Sequence, residues 1–194
     1  MHNWQVAQEW EQKWWANCVN TYGEEQKQLL YASRMGLRAF HDGKSPYNFD
    51  LDGVSVLDIG GGPCSLLLKC TNVIGKVVDP LKFPAWVLMR YQIAGIEFER
   101  AQGEYIGDAE WDEAWLYNVL QHTESPALVI RNARRAAGLI RLFEWIDTPT
   151  NGGHPHSLTE IQLNEWLGGQ GRVERFTGQH ACTGTGYYGI FPTA

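Results

Sequence analysis

The sequence has few cysteines, no long apolar run and no excess of positive charge, and each shortage argues against a class of protein. None of its 194 residues belongs to a stretch of the ~18–20 consecutive apolar residues that a membrane span needs. The four cysteines lie far apart without a C-x-x-C pair, which argues against a zinc ribbon or a disulfide framework. The formal charge of −6 provides no overall positive field to gather nucleic-acid phosphates.

The start of the chain lacks the basic-then-apolar pattern of a secretory signal, so we expect a cytoplasmic protein without a membrane partner. Arginines do cluster in one region, at Arg131, Arg134, Arg135 and Arg141. We interpret them as a solvated helix face, with a phosphate-contacting strip as the alternative, and nucleic acid is not an expected partner. The length and the 44% hydrophobic content predict one domain over residues 1–194. The oligomeric state is not indicated.

The first fifty residues are rich in aromatic side chains and predict helices rather than strands. Apolar residues recur at i+4 spacing, on one helical face, at Val6, Trp10, Trp14 and Cys18. A second helix is predicted over residues 24–40, with Thr21 as its N-cap and Glu24 at the capping-box position. Residues 41–52 indicate a loop. We expect residues 1–50 to form a helical lid over a binding site.

From residue 54 onward, short apolar runs alternate with helical stretches. Strands are predicted at residues 54–59, 74–78, 96–100, 113–117 and 139–146. Their spacing requires crossover connections, which favours parallel strands covered by helices. Residues 172–176 and 187–191 are joined by a Gly/Thr-rich stretch and predict an antiparallel pair. The prediction is therefore an α/β core over residues 54–194, a mostly parallel seven-stranded sheet with flanking helices and an antiparallel C-terminal edge.

Three consecutive glycines follow directly on the first of these strands. Gly60, Gly61 and Gly62 permit a tight turn and let a ligand approach the backbone without meeting a Cβ atom. Asp79 ends the second strand, nineteen residues after Gly60, where a carboxylate can accept both hydroxyls of an adenosine ribose. There is an alternative for each feature. The glycines can form a turn that binds nothing, and Asp79 can be a turn residue before Pro80. Together at this spacing, the two features favour a nucleoside site.

Four segments resemble, in order, the motifs of the class I, Rossmann-like S-adenosylmethionine-dependent methyltransferases. They are Leu-Asp-Ile-Gly-Gly-Gly-Pro at 57–63, Val-Asp at 78–79, Gln-Gly-Glu at 102–104 and Glu-Ala-Trp-Leu-Tyr-Asn-Val-Leu-Gln-His at 113–122. The resemblance implies a Rossmann-like fold and S-adenosylmethionine as the cofactor. The cofactor-binding residues that it implies in the core are Asp58, Gly60, Gly61, Gly62, Asp79, Pro80, Glu104, Tyr105, Asn118 and Val119.

Within this resemblance, Glu104 is expected near the adenine amino group. Tyr22 and Arg34 of the lid are expected at the methionine end of the cofactor. The chain departs from the family pattern after the glycines, because Cys64 stands in place of the usual glycine and the following helix is short. This departure concerns the shape of the methionine pocket.

Histidines supply the candidate catalytic groups. His122 ends the fourth-strand motif and is a candidate general base or acceptor-binding residue, the alternative being a helix-start histidine that bonds to the backbone. His154 and His156 follow the fifth strand, on a loop that should face the acceptor. We choose His122 and His156 as catalytic candidates. A divalent metal on His154, His156 and Asp147 is not predicted, because i,i+2 spacing in a loop is not a specific ligand pattern.

The residues that follow the fourth strand exclude one class of methyl acceptor. DNA amino-methyltransferases have Pro-Pro-Tyr/Phe after the polar residue at this strand end, whereas Asn118 is followed by Val119. Family analogy then favours a small-molecule, sugar or lipid acceptor. The alternatives are an idle cofactor-binding module with a protein partner, an aminopropyl transferase and an NAD-dependent oxidoreductase. The oxidoreductase fits less well because Ser65 occupies the third glycine position of G-x-G-x-x-G.

Overall fold

The computed structural model describes residues 2–40 and 48–193. Its α-helices in that part of the chain are α1 (His2–Trp15), α2 (Thr21–Arg34), α3 (Ala85–Ile93), α4 (Pro126–Ala136) and α5 (Glu160–Leu167). Its strands are β1 (Ala39–Phe40), β2 (Asn48–Asp50), β3 (Ser55–Ile59), β4 (Cys70–Thr71), β5 (Ile74–Val78), β6 (Glu97–Glu99), β7 (Trp111–Tyr117), β8 (Ala137–Ile146), β9 (Arg172–Thr177) and β10 (Thr183–Pro192).

The main sheet contains seven strands in the order β6-β5-β3-β7-β8-β10-β9. The five strands from β6 to β8 are parallel, and β10 pairs antiparallel with both β8 and β9. β3 is the middle one of these five parallel strands, and the chain adds β5 and β6 on one side of it before it adds β7 and β8 on the other. This topology confirms the predicted fold class, including its antiparallel C-terminal edge.

Side chains from the parallel strands point alternately to two apolar layers, as the two-residue period of a strand requires. Val56 of β3 and Trp115 of β7 belong to the layer that packs under α2 and α3. Leu57 and Ile59 belong to the opposite layer, which is covered by α4 and α5. Because both faces of the inner strands are covered, β3, β5, β7 and β8 each contain a buried apolar run that is easy to recognise in the sequence.

The N-terminal helices differ from the predicted ones in their ends. α2 begins at Thr21 and has Asn20 at its N-cap, without a side-chain capping bond, so the predicted Thr21 capping box is wrong. α2 ends at Arg34 rather than at residue 40, because Gly36 adopts a left-handed conformation with φ +80°. Cys18 lies beyond the end of α1, with a φ of 64°, and does not extend the predicted helical face.

A small second sheet was not predicted. It has the order β1-β2-β4 and includes residues that the sequence placed in the second helix and in the following loop. Residues 41–47 of that predicted loop lie outside the described residues. After the glycine turn the chain forms two 3₁₀ turns, Gly62–Cys64 and Leu66–Lys69, in place of the short helix that we expected. Of the helices in residues 2–40 and 48–193, none is long and apolar enough to cross a membrane.

Candidate functional site

A cavity of about 460 Å³ lies at the carboxyl ends of β3, β5 and β7, beneath side chains from α1 and α2. Open parallel sheets bind their ligands at this edge, where the strand order reverses. The cavity is lined by many of the residues that the sequence selected, namely Gly60, Gly61, Gly62, Asp79, Pro80, Glu104, Asn118, Val119 and His122. Segments that are distant in the sequence therefore meet at one site.

The glycine turn fits tightly between two neighbouring groups. Gly60 has a φ of +75°, and a Cβ atom on it would overlap Val119 Cγ2 and lie 2.9 Å from Val119 Cβ. A Cβ atom on Gly61 would lie 2.8 Å from Asp58 Cγ. Since real Cβ atoms do not approach this closely, neither position has room for a side chain. The bare backbone of the turn is therefore the surface that faces the cavity.

Asp58 lies beneath this turn rather than in the cavity lining. It is fully buried, and its Oδ2 accepts hydrogen bonds from the Ser65 hydroxyl and, at 2.6 Å, from the Tyr117 hydroxyl. Burial raises the pKa of Asp58 to about 7, against the opposing effect of these two donors. The structure thus places Asp58, predicted to bind cofactor, where it supports the turn instead.

Asp79 is almost fully buried, and its carboxylate is held by backbone amides. Its Oδ2 accepts from the Gly62 N–H at 3.1 Å, and its Oδ1 accepts from the Leu81 N–H at 2.9 Å. Burial raises its pKa to about 6, although these hydrogen bonds lower it. Each oxygen can accept a second hydrogen bond, so the carboxylate is fixed in position but still able to accept two further donors.

Glu104 and Gln102 also line the cavity. The Oε1 atom of Glu104 accepts from the backbone N–H groups of Glu124 and Ser125, at 2.8 and 2.9 Å, just before α4. The Oε1 atom of Gln102 is buried and has no hydrogen-bond partner among the described residues. Tyr105, by contrast, is 71% exposed and is not part of the cavity lining.

The turn after β7 forms another wall of the cavity. Asn118 adopts a left-handed conformation with φ 52°, and its Oδ1 accepts a hydrogen bond from Gln121 Nε2 at 3.1 Å. Glu144 Oε1 accepts from the N–H groups of Val119 and Leu120, at 2.9 and 3.0 Å. Burial raises the pKa of Glu144 to about 7. This buried carboxyl group fixes the backbone that carries Val119 and His122.

His122 is the catalytic candidate that reaches the cavity. Its Nδ1 lies 2.9 Å from the Gly153 carbonyl oxygen and 3.1 Å from Glu11 Oε1. Burial opposes the charged imidazolium, but the hydrogen bond and charge of Glu11 outweigh it, so the pKa of His122 is raised. The His154 ring lies 4.6 Å away, centroid to centroid, and burial together with His122 lowers its pKa to about 4.

Three other predicted site residues lie outside the cavity lining. Tyr22 is 73% exposed. Arg34 forms a two-point ion pair with Glu174 at 2.8 Å, which fixes it against the outer strands. His156 Nε2 lies 3.0 Å from the Thr123 carbonyl oxygen. In the described part of the chain, no group of three or more His, Cys, Asp or Glu side chains is arranged to hold a metal ion.

The sequence did not single out several residues that line the cavity. α1 contributes Glu11, and α2 contributes Gln28, whose Nε2 donates to the Cys64 carbonyl at 2.6 Å. The Oε1 atoms of Gln28 and Gln121 are buried without a partner among the described residues. Because both residues line the cavity, these atoms are candidates for hydrogen bonds to a ligand.

α1 packs over the cavity through Trp10, and this contact can be tested. A Cβ atom on Gly153 would lie 2.9 Å from two ring carbons of Trp10, whereas a Cβ atom on Gly152 would lie at an ordinary 3.7 Å. Gly153→Ala should therefore displace α1, at a cost of about 1–3 kcal/mol in its docking. Hydrogen exchange of the α1 amides measures this, with a rise of roughly tenfold or more expected. Gly152→Ala is the matched control, and equal exchange in both variants would contradict the packing.

Comparison with known proteins shows the fold. No protein-family model and no curated protein sequence matches the chain. Similar solved structures include a 1,6-didemethyltoxoflavin N1-methyltransferase from Burkholderia thailandensis with bound substrate and S-adenosylhomocysteine, at TM-score 0.58 and 15% identity over 95% of this chain and 82% of that one. The N-methyltransferase NodS from Bradyrhizobium japonicum, with S-adenosylhomocysteine, has TM-score 0.56 and 15% identity over 87% and 85% of the two chains.

A further similar structure is described as a cyclase, SpnF, at TM-score 0.54 and 18% identity over 78% of this chain and 57% of that one. One fold thus carries more than one reaction. The seven-stranded, mostly parallel sheet with its antiparallel C-terminal edge agrees with the fold of the methyltransferases among these structures, and the chain has their class I, Rossmann-like fold.

Proposed function

We propose that the chain is an S-adenosylmethionine-dependent methyltransferase that acts on a small-molecule acceptor. The observation that carries this proposal is the fixed Asp79 carboxylate beside a glycine turn that has no room for a side chain at Gly60 or Gly61, with both the carboxylate and the turn lining one cavity. A carboxylate with two free acceptor positions suits the two hydroxyls of a ribose, and a bare glycine backbone suits the close approach of a ligand.

The residues around this carboxylate fit the rest of such a cofactor. The unpartnered Oε1 of Gln102 can accept a hydrogen bond from the adenine amino group, with Glu104 beside it. Pro80, Asn118 and Val119 stay in the proposed site because they line the same cavity. Tyr22, Arg34 and Tyr105 do not line it and are left out, and Asp58 is assigned to the support of the turn.

The bound cofactor supplies a methyl group on a cationic sulfur, and the neutral thioether that is released is a good leaving group. The protein must then align the acceptor and exclude water, and a general base is needed only where the acceptor must lose a proton. Aromatic rings of Trp15 and Tyr31 line the cavity and suit a sulfonium cation. α1 and α2 cover the cavity, which supports a role as a lid that closes over both ligands.

Transfer of a labelled methyl group tests the proposal. The full chain is incubated with methyl-labelled S-adenosylmethionine and the small-molecule fraction of a cell extract. We expect label in a low-mass product and an equal amount of S-adenosylhomocysteine, and neither with the Asp79→Ala variant. Binding of the cofactor without transfer to any fraction would contradict the proposal and favour an idle module, which was the alternative from the sequence.

A further inference from the structure

Glu11 and His122 form a largely buried pair that links α1 to the turn after β7. The Glu11 Oε1 and His122 Nδ1 atoms are 3.1 Å apart, and the side chains are 12% and 15% exposed. Two neighbouring contacts hold α1 in place here, because Gln8 Nε2 donates to the His122 carbonyl at 3.2 Å and Gln12 Nε2 donates to the Lys82 carbonyl at 3.1 Å. The carboxylate therefore reaches the imidazole from a fixed helix.

The surroundings of the imidazole determine which of its nitrogens carries the proton. Nδ1 lies near two acceptors, the Glu11 carboxylate and the Gly153 carbonyl oxygen, so the neutral ring is protonated at Nδ1. The Nε2 atom has no hydrogen-bond partner among the described residues, and the ring lines the cavity. The basic nitrogen is thus the one that a ligand can use.

We propose that Glu11 positions His122 as a general base, and that the methyl acceptor of this chain reacts through a hydroxyl group. The proposal rests on the proposed methyltransferase function and specifies its acceptor. A hydroxyl is a weak nucleophile until its proton is removed, so a fixed base raises its reactivity, whereas a neutral amine attacks through its lone pair without one. An acid–base pair of this kind would have no task with an acceptor that carries no acidic proton.

The step balances without another reactant. An oxygen lone pair of the acceptor forms the new bond to the methyl carbon, and the electrons of the carbon–sulfur bond pass to sulfur. The hydroxyl proton moves to His122 Nε2. The resulting imidazolium keeps its Nδ1–H directed at Glu11, whose negative charge stabilises it.

Other titratable groups face His122 from the elements packed around it. They are His154 on the loop after β8, Glu144 on β8 and Asp79 at the end of β5. His154 has a pKa lowered to about 4 and is neutral at neutral pH, whereas the pKa of His122 is raised above its usual value. Because the base must be neutral, turnover should rise as the pH passes upward through the pKa of His122.

Nitrogen-15 NMR of the imidazole tests the pair in the ligand-free full chain. In the wild type we expect a neutral ring protonated at Nδ1 and a pKa above 6.5. Glu11→Gln should lower that pKa by roughly one unit or more and leave the chain folded. Glu9→Gln is the matched control, since Glu9 is an exposed carboxylate on the same helix. An Nε2-protonated ring in the wild type, or an unchanged pKa in Glu11→Gln, would overturn the proposal.

Turnover and the methylated product test the acceptor. With ¹³C-methyl S-adenosylmethionine and the extract fraction, we expect the methyl carbon of the product at the chemical shift of an O-methyl group, and an N-methyl or C-methyl shift would contradict the hydroxyl acceptor.

Glu11→Gln should lower kcat roughly tenfold or more and His122→Ala roughly 100-fold, with little change in KM for the cofactor. Glu11→Asp should restore part of the rate and shift the acid limb of the pH profile back towards that of the wild type.

These variants also separate the two proposals. If Glu11→Gln and His122→Ala bind S-adenosylhomocysteine as the wild type does but keep full kcat, the pair is structural and the cofactor site stands. If the folded wild type does not bind S-adenosylhomocysteine, the methyltransferase function itself is wrong, whatever the state of His122.

Discussion

Gly60→Ala should abolish S-adenosylhomocysteine binding and destabilise the folded protein by about 2–5 kcal/mol. The alanine would have to adopt a φ of +75°, and its Cβ would overlap Val119 Cγ2. Relief of that overlap moves either the glycine turn or the wall of the cavity that carries Val119. Thermal unfolding and calorimetric titration measure the two effects. A loss of this size is large against the ~5–15 kcal/mol by which domains are stable.

Two further variants control for this substitution. Gly23→Ala lies in α2 with nothing within 4 Å of the new Cβ, so it should be neutral or slightly stabilising. Val119→Ala combined with Gly60→Ala removes the overlapping methyl groups and should recover part of the lost stability. Full additivity of the two single effects would contradict the close packing of Gly60 against Val119.

Asp79→Ala should weaken S-adenosylhomocysteine binding by roughly 100-fold or more, because the carboxylate is the proposed acceptor for two ribose hydroxyls. The substitution also removes the acceptor of the Gly62 and Leu81 N–H groups, so some loss of stability is expected alongside. Asp79→Asn retains one acceptor oxygen and should give an intermediate loss of affinity. Asp108→Ala removes an exposed carboxylate and serves as the control.

The affinity should also depend on pH in a direction set by Asp79. Burial raises its pKa to about 6, so the carboxyl group is ionised above that value and protonated below it. A protonated carboxyl loses part of its capacity to accept hydroxyl hydrogens. Binding should therefore weaken as the pH falls through 6 in the wild type. Undiminished affinity in Asp79→Ala, or the same pH dependence in that variant, would show that the ribose assignment is wrong.

The main sheet could be predicted from sequence because its inner strands β3, β5, β7 and β8 are largely buried on both faces. Short apolar runs separated by crossover lengths leave few alternatives to a parallel sheet, and the position of each predicted strand agrees with the structure. The glycine turn and Asp79 could be recognised for a similar reason, since each directly follows such a strand. Their approach in space is a consequence of two parallel strands ending at the same edge.

The N-terminal region was less predictable because its signals are local and weak. Gly36 follows the last turn of α2 and is a helix terminator that could have been recognised, whereas the pattern of apolar residues alone suggested a longer helix. The strands Ala39–Phe40, Asn48–Asp50 and Cys70–Thr71 are two or three residues long, too short for an alternating pattern to appear.

The site residues that the sequence missed are defined by contacts between distant segments. Glu11 is one of two acidic residues in α1, and nothing in its sequence neighbourhood indicates that it contacts His122. Conversely, Arg34 and Tyr22 were selected for their chemistry, but the packing of α2 directs Arg34 to Glu174 and leaves Tyr22 exposed. Which face of an N-terminal helix points inward depends on the tertiary structure.

Calorimetric titration of the wild-type chain with S-adenosylhomocysteine tests the central claim most directly. The fixed carboxylate and bare glycine turn predict saturable binding at one site per chain, and at a ligand concentration of 100 Kd the free energy of unfolding should rise by about 2.7 kcal/mol. A folded chain that gives no heat of binding and no thermal shift in such a titration would contradict the claim that this cavity holds the cofactor.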